Sequence, residues 1–320
     1  MNFSGRTAGS IALAAMTLVV AGVAGCGSTD APAATSSSAQ SALPAAKATA
    51  RPVIAALGDI ACRSDAPVTA TTCQHQAVAD AITRIKPESV WLLGDIQYQT
   101  GELVQFQNSF GKSFAALKNR WRPTPGNHEY FTPGAGGYFD FFGRAAGPAR
   151  RGYYSFNIGS WHVVSLNANC SVVDCTSSSA QARWLRDDLK KNPSRCTAGI
   201  WHQPLFSSGE MHGNDPLVRP LWKILQSKKA DLVLNGHDHD FETFVRQDAN
   251  GKRDPNGMIE MVVGAGGKSF YDFAGAKPNS RVRITNAFGF LKLRLNRRSF
   301  DWSYVSKDSE VLARGSARCV

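Results

Sequence analysis

The chain has 320 residues, with 36 basic against 25 acidic side chains, seven histidines and seven cysteines. At 43% hydrophobic and 10% aromatic it can bury a core, which excludes a chain disordered throughout and a mini-protein held only by staples. The net charge of +11 suits an anionic substrate, an anionic surface or nucleic acid, and selects none of them.

The first fifty residues read as export and anchoring, not as fold. Arg6 supplies a positive start, and Ile11 to Val23 is an apolar stretch too short to span a bilayer. Val23-Ala24-Gly25-Cys26 resembles the lipobox of bacterial lipoproteins. Residues 1–25 are therefore predicted to be a lipoprotein signal peptide, and Cys26 to carry acyl chains that hold the protein on the outer side of the cell membrane, extracellular or periplasmic. An ordinary signal peptide cut nearby is the alternative. Gly27 to Ala50 is almost entirely Ala, Ser, Thr, Pro and Gly, so residues 26–50 form a lipidated cysteine and a flexible tether. Export permits disulfides. With Cys26 set aside, six cysteines remain and several connectivities are open. Proximity along the chain favours Cys62–Cys73, Cys170–Cys175 and, for the remaining two, Cys196–Cys319.

From Arg51 onward strands and helices alternate. Pro52–Gly58 and Ser89–Leu93 are buried-strand candidates, and His75–Ile85 between them carries a helical apolar face at Ala77, Val78, Ala81, Ile82 and Ile85. Leu103–Leu117 reads as one helix. Tyr153–Ile158 and Trp161–Leu166 pair across Gly159-Ser160. Ala180–Lys190 and Leu217–Leu225 read as helices, and Thr197–Trp201 and Leu232–Leu234 as strands. Met258–Val263, Phe288–Leu295 and Phe300–Val305 are mostly β. The body, residues 51–320, is thus one α/β domain of about 270 residues with a β-rich C-terminal half.

Polar residues gather where these strands end. Strand one runs into Gly58-Asp59, and strand two into Gly94-Asp95 with Tyr98 beyond. A short extended piece leads to Gly126-Asn127-His128-Glu129. Later strands run into His202 and into Gly236-His237-Asp238-His239. Ligands of α/β sheets bind beyond the carboxyl ends of the strands, so these loops converge. Five of the seven histidines, His128, His202, His212, His237 and His239, belong to or adjoin the set. Asp and His suit hard or borderline metal ions, and a carboxylate can bridge two of them. Gly58, Gly94, Gly126 and Gly236 let backbone approach an ion with no Cβ in the way.

In this order the motifs resemble those of the calcineurin-like metallophosphoesterases, and within them the purple acid phosphatases. Ala61 stands where the wider group usually has a histidine, and Tyr98 follows the second aspartate instead. The first motif departs from the usual Asp-x-Gly, reading Asp59-Ile60-Ala61. The resemblance covers residues 52–306. It implies a four-layer α/β/β/α sandwich and a two-metal centre. Asp59, Asp95, Tyr98 and His239 would hold Fe(III), and Asp95, Asn127, His202 and His237 would hold Fe(II), Zn or Mn. It also implies hydrolysis of phosphate monoesters by a metal-bridging hydroxide, the two ions roughly 3.5–4 Å apart. His128 and His212 are expected to bind phosphate and donate the proton, although His212 also reads as a surface-loop residue. His75 and His162 are expected to be structural. Gly264-Ala265-Gly266-Gly267 lacks the Lys-Ser/Thr of a phosphate loop and is expected to turn the chain under the metal site. Tyr138, Phe139, Phe141 and Phe142 either wall the entrance or pack in the core. Arg294, Arg297 and Arg298 read as a solvated face.

Small phosphorylated compounds and the membrane are the expected partners. Nucleic acid is not expected, since the basic residues are dispersed and carry no recognition motif. Two alternatives stay open. One is a phosphodiesterase or nucleotidase on the same scaffold, differing in the loops at Ala66–Thr72, Phe131–Gly137 and Ser207–Asn214. The other is a non-catalytic lipoprotein that binds a phosphorylated polymer.

Overall fold

A computed structural model describes residues 51–320; the stretches expected to be a signal peptide, a lipidated Cys26 and a tether lie outside the described residues. β1 (Val53–Leu57) and β2 (Ser89–Leu93) are parallel, joined by α1 (His75–Ile85). Trp121–Thr124 is β3, parallel to β2. Along β1 and β2 alternate residues face opposite cores. Ala55, Leu57, Val90 and Leu92 pack against α1, while Ile54, Ala56, Trp91 and Leu93 face inward.

The expected helix at 103–117 is broken. α2 (Leu103–Asn108) stops at Ser109, whose side chain donates to Cys62 O at 2.5 Å and whose backbone leaves helical geometry. α3 (Phe110–Ser113) and a 3₁₀ turn over Ala115–Arg120 follow. The aromatic run forms α4 (Gly136–Phe142), and Tyr138, Phe139 and Phe142 are buried beside α2 and α3, which settles them as core.

β4 (Tyr154–Ile158) and β5 (Trp161–Ser165) make the expected antiparallel pair. α5 (Ala180–Lys191), β6 (Cys196–Ile200), α6 (Arg219–Ser227) and β7 (Leu232–Asn235) continue the α/β alternation. The C-terminal half adds β8 (Phe241–Phe244), β9 (Ile259–Val263), β10 (Ser280–Ile284), β11 (Gly289–Asn296), β12 (Ser299–Ser306) and β13 (Val311–Arg318).

Two sheets result, ordered β13-β12-β11-β1-β2-β3 and β10-β8-β9-β7-β6-β5-β4. Three apolar cores separate the layers. One lies between α1–α4 and the first sheet, one between the sheets, and one between the second sheet and α5 and α6. This is the four-layer α/β/β/α arrangement. Among the described residues no helix is long and apolar enough to cross a membrane.

The three expected disulfides are present. Cys196–Cys319 joins the start of β6 to the end of β13 and so ties one sheet to the other. It closes the longest loop of the three, with a sequence separation of 123. Replacing both cysteines by serine should cost about 2–4 kcal/mol of stability, more than opening Cys170–Cys175. Urea midpoints of the two double variants compare the effects directly, and equal midpoints would contradict the loop-closure argument.

Candidate metal centre

The carboxyl ends of β1, β2, β6 and β7 deliver Asp59, Asp95, His202 and His237 to one place, and Tyr98, Asn127 and His239 join them from the following loops. All but Asn127 and His237 are buried to 2% exposure or less. Asp59, Asp95 and His237 hold positive φ values of 60°, 47° and 79°. These turns are costly for residues with a Cβ, though least so for Asp, Asn and His. Of the four glycines preceding candidate ligands, Gly94 is the one that takes a positive φ, at 86°. Gly126 matters for space: a Cβ there would run into the Asp95 carboxylate.

The donor atoms fall into two groups that share one oxygen. Tyr98 Oη donates to Asp59 Oδ1 at 2.8 Å and lies 3.1 Å from Asp95 Oδ2 and 3.0 Å from His239 Nε2. Asp95 Oδ2 also lies 3.3 Å from His202 Nε2, which is 3.2 Å from His237 Nδ1. The other Asp95 oxygen is engaged elsewhere, accepting from His128 N at 2.8 Å. The Asn127 side-chain oxygen, on the residue before that backbone contact, is buried without a hydrogen-bond partner. A buried acceptor left open on this loop, together with the donor atoms of Asp95, His202 and His237 within 4.8 Å of one another, is the chemistry a divalent cation satisfies.

The far sides of the rings are fixed. His202 Nδ1 donates to Leu93 O at 2.8 Å, and His239 Nδ1 meets Ser269 Oγ at 2.8 Å, which leaves Nε2 of each ring for the centre. Tyr271 stacks on His239 with ring centroids 3.9 Å apart. Burial works against the charged forms here, but mutual charge prevails. The imidazoles of His202, His128 and His237 hold Asp95 below its usual range, while Asp95 and Asp59 carry His202 up to about 10. Burial and the adjoining imidazoles push His237 well down. A bound cation would take the place of these protons.

Three groups had no legible role in the sequence. Glu129 is fully buried; Oε2 accepts from Asp95 N at 2.9 Å and Gly126 N at 2.7 Å, and Oε1 from Ile96 N at 2.9 Å and Gln97 N at 3.3 Å. Asp238, between the two histidines of its motif, accepts from Ser207 Oγ at 2.5 Å, His212 N at 3.1 Å and Gly213 N at 3.0 Å. It pins the loop that lays His212 on His237, ring centroids 3.9 Å apart. Lys268 Nζ sits 5.4 Å from the Tyr98 ring centroid. An exposed carboxylate inside a His-x-His would be wasted, and that was the available hint for Asp238.

His128 also belongs to the place: Nδ1 donates to Gln99 O at 2.6 Å and Nε2 lies 3.8 Å from Asp95 Oδ2. His162 is a satisfied scaffold residue, held between Asn157 and Asp188 at 2.8 and 2.7 Å. His75 contacts Ser109 Oγ at 3.2 Å, and burial lowers its pKa to about 4. The Gly264–Gly267 run passes beneath the site. Gly266 N donates to Gly58 O at 3.0 Å, and Lys268 N to Asp59 O at 3.0 Å.

Comparison with known proteins bears on the fold and the family. Purple acid phosphatase 22 of Arabidopsis thaliana is 29% identical over 247 residues, covering 70% of this chain and 56% of its own length. A nucleotide pyrophosphatase/phosphodiesterase of Hordeum vulgare is 25% identical over 260 residues, 69% of each chain. The purple acid phosphatase PPD1 from yellow lupin (Lupinus luteus) seeds superposes with a TM-score of 0.71 at 20% identity, over 84% of this chain and 54% of that one. The chain spans about half the length of Arabidopsis purple acid phosphatases 22 and 18. The family model for the calcineurin-like phosphoesterases matches residues 52–241. That stretch contains every side chain of the two donor groups, and the chain belongs to this family of metal-dependent hydrolases.

Proposed function

We propose that the protein is a two-metal phosphatase that hydrolyses small phosphate monoesters outside the cytoplasmic membrane, where a lipid on Cys26 retains it. The observation that carries the reading is Asp95 Oδ2, a single carboxylate oxygen lying within 3.3 Å of donors from both groups. Asp59, Asp95, Tyr98 and His239 would hold one ion, and Asp95, Asn127, His202 and His237 the other. The Tyr98 phenol favours trivalent iron in the first position, and the second set suits Fe(II), Zn or Mn. Two such ions supply an acidified water as nucleophile and positive charge for the phosphate oxygens.

The protein's own groups do the rest. Asp95 fixes the chain that carries His128, and the bond to Gln99 O leaves Nε2 as the free ring nitrogen, 3.8 Å from Asp95 Oδ2. A proton held there, or on His212, can pass to the departing alkoxide oxygen. Burial lowers the pKa of His212, which eases that donation. Phe131 packs edge-on against His128, ring centroids 4.7 Å apart, and is 58% exposed.

A diesterase is the second reading, favoured by the Hordeum vulgare relative named a nucleotide pyrophosphatase/phosphodiesterase. The two separate by comparing kcat/KM for p-nitrophenyl phosphate and its bis-ester with metal-replete protein, alongside metal analysis. The monoester is expected to be preferred at least about tenfold. The opposite preference would establish the diesterase, and two metal equivalents with no tyrosinate-to-iron absorption band would remove iron while sparing the hydrolase.

A further inference from the structure

Part of the excess of basic side chains gathers at one pole of the fold, and it is not the candidate centre. Parallel strands send their carboxyl ends to the centre, so their starts define the opposite pole of both sheets. Lys86 precedes β2, Arg195 precedes β6, Lys228 and Lys229 precede β7, and Arg297 and Arg298 form the turn from β11 to β12. That turn lies at the same pole, because β11 is antiparallel to β1 and Leu295 N donates to Pro52 O at 3.0 Å. Cys319 N donates to Arg298 O at 2.9 Å, and the Cys196–Cys319 bridge joins the second sheet to the first there. All six cations are exposed. Exposed Glu88, Asp187 and Asp301 and half-buried Asp188 are nearby along the chain, and Asp231, two residues after Lys229, is fully buried, where it accepts from Thr197 N and Val320 N and pairs with Arg246. At the other end, exposed Glu210 and Asp272 flank His212 and Tyr271.

Complementing helix dipoles accounts for Lys86 and Lys228, which follow α1 and α6. It does not account for Arg297 and Arg298 in a β-turn or Arg195 at a strand start. Arg51, also exposed, leads into β1 at this pole, so the fifty residues that precede it, Cys26 among them, join the domain there. Charge and point of attachment coincide.

We infer that this basic pole docks on an anionic lipid bilayer and holds the metal centre facing away from it. The direction of approach rests on the lipid-anchor reading of Cys26, whereas the affinity of the pole for anionic lipid does not. Each basic residue close to an anionic surface raises partitioning about fivefold. The full chain carrying Cys26→Ser, and so without acyl chains, should sediment with vesicles containing phosphatidylglycerol at least about tenfold better than with phosphatidylcholine alone, and salt should release it. Lys228→Glu, Lys229→Glu, Arg297→Glu and Arg298→Glu together should lower that binding at least about a hundredfold. Arg297→Ser with Arg298→Ser should lower it by a smaller factor at an unchanged melting temperature. Equal partitioning onto both vesicles, or undiminished binding by the fourfold variant, would overturn the proposal. The mass of the Cys26 peptide from wild-type membranes tests the anchor separately, so its failure is distinguishable from failure of the pole.

Discussion

Asp95→Asn is expected to lower phosphate-ester hydrolysis at least about a thousandfold while the fold survives. Removing a residue that merely orients a metal ligand typically costs about 10–100-fold, and Asp95 is the donor common to both groups, so its loss has to cost more. The asparagine is nearly isosteric. Its side-chain oxygen can still accept from His128 N, the bond that Asp95 Oδ1 makes at 2.8 Å. What disappears is the negative charge facing Tyr98 Oη and His202 Nε2. The amide nitrogen would instead present hydrogens to those atoms and to any cation. Metal content should fall together with activity, and the far-ultraviolet dichroism should stay that of the wild type. Activity within tenfold of wild type at full metal content would sink the shared-ligand reading. The same variant should also lower the pKa of His202, since the Asp95 and Asp59 charges are what oppose its burial in the metal-free protein.

How much of this was readable beforehand divides along a physical line. Strands buried on both faces announce themselves, because a short apolar run such as Ser89–Leu93 must be followed by a turn, and here each turn carries a candidate ligand. All seven candidate ligands, with His128 and His212, come together in the structure. Elements held by their neighbours were not legible. β13 is Val311–Arg318, with the sequence VLARGSAR; Val311 and every second residue from Leu312 on are exposed, none is buried, and the strand owes its place to pairing with β12. β10 alternates too briefly to be distinguished from loop, and β8 follows the His-x-His motif with no intervening turn signal. α4 begins at Gly136 after Ala135 at φ 53°, a start that reads as a loop. Ser109 interrupts the expected 103–117 helix through a bond to Cys62 O, 47 residues away, which no local pattern encodes. The buttressing residues of the site share this property. Apart from the Glu129 bond to Gly126, Tyr271, Ser269 and Glu129 act on partners between 30 and 34 residues distant, through contacts that exist only after the chain has folded.

Glu129→Ala should be the most destabilising single substitution near the centre, costing at least about 3–5 kcal/mol. The carboxylate accepts four backbone N–H groups, from Asp95, Ile96, Gln97 and Gly126, and so joins the loop after β2 to the loop after β3. Alanine would leave those donors buried with no acceptor, and each such orphan costs about 1–3 kcal/mol unless water enters. Glu129→Gln separates the causes. It fills the same volume, but its amide would turn two hydrogens toward N–H donors that now meet an oxygen, so it should rescue little. Burial and the neighbouring Asp95 carboxylate push the Glu129 acid up to about 8, against the pull of the N–H donors. A group whose pKa is raised on folding contributes its stability below the unfolded value and loses it as pH climbs through the folded one. The carboxylate is complete as a four-way acceptor in metal-free protein only once that acid ionises, so Glu129→Gln is compared with wild type above about pH 8. Because Asp95 N and Gly126 N hang from this carboxylate, the activity loss in Glu129→Ala should accompany lost metal binding even at temperatures where the variant stays folded. Urea denaturation read beside metal titration of both variants checks the account. A glutamine variant as stable and as metal-competent as wild type would show that shape, not acceptor charge, is what the four N–H groups require.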